Sequence, residues 1–303
     1  MRARRRSCSG CSSWRSARSM DASSAGGPSM WAKRPRRLLL YVAMLAAGVV
    51  IAFPFFWMLS TSLKSEAEAT TFPPSVLPAH WLFGNYLDAW RAAPFGRYFL
   101  NSAVMAAGQV ALGLVTSSLA AYALARMRVP GRGVIFGALL ATLIIPPEVT
   151  LIPNYIAMQR LGWYNTYVAL IVPFGASVFN VFLLRQAFLQ LPGELYEAAV
   201  LEGCTHLRFL WQFAVPLSRP VLAIIALLTA IRAWNDFQWP LIVTDTPDLR
   251  PIQVGLTIFR SDVSTNFQLL MAGSMMAVLP VVVLYLVTQR QFIQGIARTG
   301  IRG

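Results

Sequence analysis

Few side chains in this 303-residue sequence have the type and placement to act on another molecule. Glu197, Ala198, Ala199 and Gly203 sit at close offsets in a short interval that ends at Pro216. A carboxylate with small neighbours can be approached closely and accepts a charge-assisted hydrogen bond, which is contact chemistry rather than bond-making. Glu148 and Arg232 lie inside long apolar runs, where a charge is expensive and therefore functional by default. Either the two pair at one depth, or each snorkels separately to the outer interface. Asn101, Gln109, Asn180, Asn235 and Asp236 add groups suited to a polyhydroxylated solute. Nothing assembles a catalytic centre: His80 and His206 are isolated, so a metal role is not expected. Cys8 and Cys11 form a lone Cys-x-x-Cys, and Cys204 leaves no disulfide framework. No Gly-x-x-x-x-Gly-Lys-Ser/Thr segment is present, so any nucleotide-derived energy must come from another polypeptide.

The elements that must position these groups are of membrane length. The chain is 56% hydrophobic and 13% charged, with a mean hydropathy of +0.55, against about 25% charged residues in a soluble domain. Its net charge of +14 is not laid out as a basic patch interleaved with aromatics, which argues against nucleic acid. Six apolar segments approach the roughly 20 residues needed to cross a bilayer. They lie at about Leu38–Ser60, Phe99–Ala125, Val134–Ile156, Tyr167–Leu184, Val215–Ala233 and Leu269–Val287. Pro146, Pro147 and Pro153 make an uninterrupted third helix implausible, and irregular backbone at that depth suits the lining of a pathway.

Orientation follows from Lys and Arg in the flanks. With the N-terminus inside, nineteen basic residues fall on the cytoplasmic side and six on the outer side. Both termini are then cytoplasmic, as is the loop 191–216. Residues 1–37 carry ten basic residues and one acid, Asp21, a composition that predicts disorder; translation starting at Met20 or Met30 is an alternative for part of this tail. The outer segments Lys64–Tyr98 and Asp236–Phe267 carry Trp81 and Trp90 in the first and four acids in the second. Their aromatics suit interfacial anchoring or contact with an extracytoplasmic protein.

The loop itself predicts a helix–turn–helix across the membrane face. Pro192 presets helical φ, and Glu194 and Glu197 complement the dipole of the first turns. Gly203 marks a break or a close backbone approach. Thr205 caps a second short helix through Arg208 to Gln212, and Pro216 and Pro220 mark the start of the fifth span. An ordinary amphipathic surface helix is the plain alternative.

The spacing Glu197-Ala198-Ala199, three residues, Gly203, nine residues, then Phe213-Ala214-Val215-Pro216 resembles the signature of permease subunits of binding-protein-dependent ABC importers. In that pattern Ile and Leu usually stand where this chain has Phe213 and Val215. Ile145-Pro146-Pro147 with Leu151-Ile152-Pro153, Leu161-Gly162-Trp163 with Asn165-Thr166-Tyr167, Trp234-Asn235-Asp236-Phe237 with Trp239-Pro240-Leu241, and Gln289-Arg290-Gln291-Phe292 with Gln294-Gly295 resemble the carbohydrate branch. That branch is similar to the second membrane subunit of the maltose system, and the likeness covers about Arg36 to Gly303.

The resemblance implies an all-α type I importer permease with six transmembrane helices and a cytoplasmic coupling helix, lying in the inner membrane. Its divisions are a tail at 1–37, a first helix and outer segment at 38–96, a transmembrane domain at 97–290 and a cytoplasmic tail at 291–303. It implies two ABC ATPase subunits, a second homologous permease and an extracytoplasmic solute-binding protein as partners, besides membrane lipid. The chain binds no cofactor of its own, because ATP is used by the partner subunits. Glu197, Ala198, Ala199 and Gly203 become coupling contacts, with Pro216 shaping the exit; Glu148, Arg232, Asn235 and Asp236 become candidates for the path. The implied solute is a sugar, an oligosaccharide, or a related polyol or glycerophospho-compound. The alternatives are an importer of the same type for a non-sugar solute and an ion-coupled secondary transporter. The latter calls for inverted repeats and midplane acids.

Overall fold

In a computed structural model of the chain, residues 33–260 and 265–300 are described, with side chains over 39–260 and 265–289. These residues are helical apart from loops and one isolated bridge between Arg260 and Thr265. The chain divides into two units, the first ending at Phe56 and the second beginning at Trp57.

The first unit holds most of the helix Lys33–Ser62, which contains Pro54 and exposes its side chains from Leu39 to Phe56. The expected disordered tail lies mostly outside the described residues. Its last five positions, 33–37, are helical, so this helix begins before the apolar run does.

The second unit is organised around the 32-residue helix Phe95–Arg126, called here the central helix. It packs against Val178–Leu189 on one side and Arg219–Asn235 on another. Its side chains enter three separate apolar clusters: Phe95 and Tyr98 join Ile252, Phe259 and Ala272, Met105 joins Leu170, Trp239 and Val243, and Ala121 and Tyr122 join Leu184, Phe188, Phe209 and Ile225. Small residues on its buried face, including Gly113 and Ser117, let neighbouring helices approach closely.

Among the described residues, Leu39–Ser62, Phe95–Arg126 and Phe267–Gln289 are each long and apolar enough to cross a membrane. Three further pairs pass only jointly and are bent: Arg132–Thr142 with Pro147–Arg160 by 97°, Tyr167–Phe174 with Val178–Leu189 by 46°, and His206–Leu217 with Arg219–Asn235 by 81°. Counting each pair as one crossing gives up to six. The last helix continues from Phe267 to Gly300, through the stretch read from the sequence as a tail.

Two bends have a cause in proline. Pro146 stands in an extended conformation, ψ 138, because a following proline disfavours the α region. Pro147 then opens the next helix. Pro153 stays inside that helix, so the expected interruption occurs at one position. The other bend corrects the fifth segment. Val215–Leu217 belongs to the loop, and the spanning helix begins only at Arg219. Pro220 has no N–H to continue the ladder and its ring would clash with the carbonyl of Pro216, so the helix turns at Ser218.

Candidate functional site

The loop forms the expected helix–turn–helix. Its first helix is Gly193–Leu201, entered from Pro192 at ψ 137. The helix is closed by a Schellman motif: the Cys204 N–H donates to Ala199 O (2.9 Å) and the Gly203 N–H to Val200 O (2.9 Å). Gly203 takes φ 75, and a Cβ placed there would meet nothing within 4 Å. Glycine is therefore required by the left-handed backbone, not by a close approach. Thr205 caps the second helix by accepting from the Arg208 N–H at 3.4 Å. That helix runs further than expected, from His206 through a π-helical turn at Leu210–Ala214 to Leu217.

An aromatic cluster anchors the pair. Phe209 is fully buried, with its ring 5.1 Å from Tyr196 and 5.4 Å from Phe213. The His206 ring stacks on Tyr196 at 5.8 Å, and its Nδ1 lies 3.2 Å from the Tyr122 hydroxyl and 3.3 Å from the Tyr196 hydroxyl. His206 looked isolated in sequence because its partners are 84 and 10 positions away. Arg126, at the end of the central helix, donates to Phe188 O from Nε (3.1 Å) and Nη2 (2.9 Å), and also to Leu191 O. Its guanidinium thus satisfies carbonyls where Val178–Leu189 ends and the loop starts.

This anchoring sorts the expected contact residues. Ala199 is 8% exposed and packs in the apolar cluster, so it supports the loop from inside. Glu194, Glu197, Ala198 and Leu201 are exposed and follow the i, i+3, i+4, i+7 spacing of one helical face. Leu201, which the sequence reading passed over, is 89% exposed. Gly203 is exposed and Pro216 half-buried. A cavity of about 330 Å³ opens between the two short helices, walled by Ala198, Glu202, Cys204, Arg208 and Phe213.

The other site is a cavity of about 520 Å³ whose wall contains Glu148, Arg232, Asn235 and Asp236 together. Glu148 comes from the first turn of Pro147–Arg160 and the other three from the end of Arg219–Asn235 and its cap. The structure brings these four residues to one place, but Glu148 and Arg232 do not pair. Arg232 instead donates from Nη2 to Gln109 Oε1 at 2.8 Å, with its guanidinium 4.6 Å from the centre of the Phe174 ring. The Asp236 carboxylate accepts from the Trp239 N–H at 3.4 Å. Phe174, Phe237 and Trp239 give the wall its aromatic part, and Thr150, Asn154 and Gln238 add neutral polar groups.

Three residues expected to meet a solute are occupied elsewhere. Asn101 is buried, donates to Asp248 O (2.8 Å) and Arg250 O (3.0 Å), and accepts from the Tyr167 hydroxyl (2.6 Å). Asn180 is buried beside Thr229 Oγ1 at 3.5 Å. Gln109 is fully buried between Leu170 O and Arg232. Each ties segments together where unpaired amides would be costly. Among the described residues no group of three His, Cys, Asp or Glu is placed to hold a metal ion.

Residues 113–293, more than half of the chain, match the family described as binding-protein-dependent transport system inner membrane component. The chain belongs to that family. This inner membrane transport component is 35% identical to a probable ABC transporter permease protein of Bacillus subtilis (strain 168), over 87% of its own length and 88% of the relative's. It is 32% identical to the diacetylchitobiose uptake system permease protein of Streptomyces coelicolor, over 83% of its length and 84% of the relative's. It also superposes on a chain of a bacterial ABC transporter involved in the import of the acidic polysaccharide alginate. The TM-score is 0.76 and the identity 25%, covering 86% of this chain and 97% of that one. Family membership sets aside the ion-coupled secondary transporter, and the 191–216 loop and the whole lining of the 520 Å³ cavity fall inside the matched residues.

Proposed function

We propose that this chain carries a sugar or related polyhydroxylated solute across the inner membrane as one of two permease subunits, with both termini and the 191–216 loop in the cytoplasm. One subunit of an ATPase pair attaches at the loop, and a solute-binding protein delivers cargo from the outer side. The chain performs no catalysis and binds no cofactor; ATP is used by the attached subunits. The carbohydrate reading is supported by relatives whose names specify diacetylchitobiose uptake and alginate import. The rocking of such a subunit alternates access to a pathway that includes the Glu148, Arg232, Asn235 and Asp236 cavity.

The observation that carries this proposal is the exposed face Glu194, Glu197, Ala198 and Leu201 on a helix closed at Gly203 and seated on Phe209. An exposed leucine beside carboxylates and an alanine suits a protein groove that takes an apolar tip and answers the charge. Glu197→Lys reverses that charge on an exposed side chain and leaves the core intact. Uptake should fall at least about tenfold, with normal membrane insertion, as expected when one charge-assisted contact becomes a like-charge clash. Uptake at the wild-type rate with normal expression would remove Glu197 from the attachment.

A further inference from the structure

The ionisable groups lining the 520 Å³ cavity are two carboxylates, Glu148 and Asp236, and one guanidinium, Arg232. The carboxylates face the cavity mainly as acceptors. Glu148 is exposed, and the Asp236 carboxylate is engaged by the Trp239 N–H through Oδ1. Arg232 can only donate, and Gln109 fixes its direction. The Gln109 Nε2 donates to Leu170 O at 2.7 Å while its Oε1 accepts from Arg232 Nη2 at 2.8 Å. A carbonyl cannot donate and a guanidinium cannot accept, so the amide has one workable orientation. One guanidinium N–H group is thereby held against Gln109, and the guanidinium carbon lies over the Phe174 ring, 4.6 Å from its centre.

We propose that this cavity is a subsite for an uncharged polyhydroxylated ring and rejects anionic solutes. This rests on the permease reading above and narrows its substrate class. A sugar hydroxyl both donates and accepts, so neighbouring hydroxyls can serve the carboxylates and the guanidinium at once. Aromatic wall residues such as Phe174 and the exposed Phe237 complement the apolar C–H faces of a sugar ring. A uronate or phosphate ester would set its own charge among two carboxylates with a single cation to answer them, a repulsive element that disfavours such partners. Gln109 acts here as a positioning residue, through Arg232.

The test is calorimetric titration of the assembled transporter in nanodiscs without ATP. The neutral probes are cellotriose, xylotriose and triacetylchitotriose; the anionic probes are trigalacturonate and glycerol 3-phosphate. At least one neutral trisaccharide should bind, and both anions should bind at least about tenfold more weakly, a modest value for like-charge rejection. Substituting Glu148→Gln and Asp236→Asn together removes both negative charges and should narrow the affinity gap between the neutral and the anionic probes by about tenfold. Three results would each overturn the proposal: an anion binding the wild type as tightly as the best neutral probe, no neutral probe binding, or the double substitution leaving the ratio of neutral to anionic affinities unchanged. Glu197→Lys uptake is measured in parallel. If it is normal while the titrations behave as expected, the coupling reading fails alone; if it is lost and the titrations do not, only the charge selectivity fails.

Discussion

At the loop 191–216 the backbone is shaped by local hydrogen bonds, seated on aromatic packing and tied to the central helix by Arg126 and Tyr122, and its outer face is free to present Glu197 and Leu201. At the 520 Å³ cavity, by contrast, the one cation on show, Arg232, is held by a polar partner from a distant segment. Gln109 reaches across 123 positions to Arg232 and across 61 to Leu170 O. A region proposed to take force from a partner and a region proposed to hold a solute are thus secured differently within one unit, the first mainly by aromatic packing and the second by an amide–guanidinium bond.

That contrast can be broken at either side. Phe209→Ala should have the largest effect. Removing a fully buried ring that touches Tyr196 and Phe213 costs about 3–5 kcal/mol. Purified transporter should melt at a lower temperature and lose ATPase subunits on washing, while neutral trisaccharide binding at the cavity persists. Equal loss at both sites would mean that the two regions are not separately secured. Gln109→Leu comes next, since it leaves Leu170 O and the Arg232 N–H without partners, at about 1–3 kcal/mol. Trisaccharide affinity should fall with ATPase attachment retained; unchanged affinity would remove Gln109 as the holder of Arg232. Thr205→Ala is the smallest. Loss of an N-cap costs about 1 kcal/mol, so hydrogen exchange at Arg208 should quicken while uptake stays near normal. Unchanged exchange there would show that the cap is dispensable.

The same contrast explains what could be read without coordinates. The loop was legible because its devices are local: proline at the start, glycine at the break, threonine at the cap. Even there, the inward turn of Ala199 and the exposure of Leu201 were missed, although the helical period separates 199 from 194, 197, 198 and 201. The four cavity residues were legible as charges and amides out of place in apolar runs. Their partners were not, since a buried amide facing solute and one tying two segments together are the same letter in a sequence. Asn101, Gln109 and Asn180 show this. The bend at Pro146 was foreseen, but the one at Ser218 was not, because apolar composition continues smoothly across it while the backbone does not.

The central helix carries Gln109 near its middle and Tyr122 and Arg126 at its end. Seventeen residues separate Gln109 from Arg126, about 25 Å of α-helix. One rod therefore bears both the group that aims Arg232 and the groups that hold the loop. Whatever shifts that rod is felt at both ends, and thermodynamic linkage makes the effect reciprocal. If attachment of the ATPase pair changes solute affinity by some factor, solute must change the attachment of the pair by the same factor. In the proposed transporter the motor's grip on the membrane subunit would then report whether the cavity is filled.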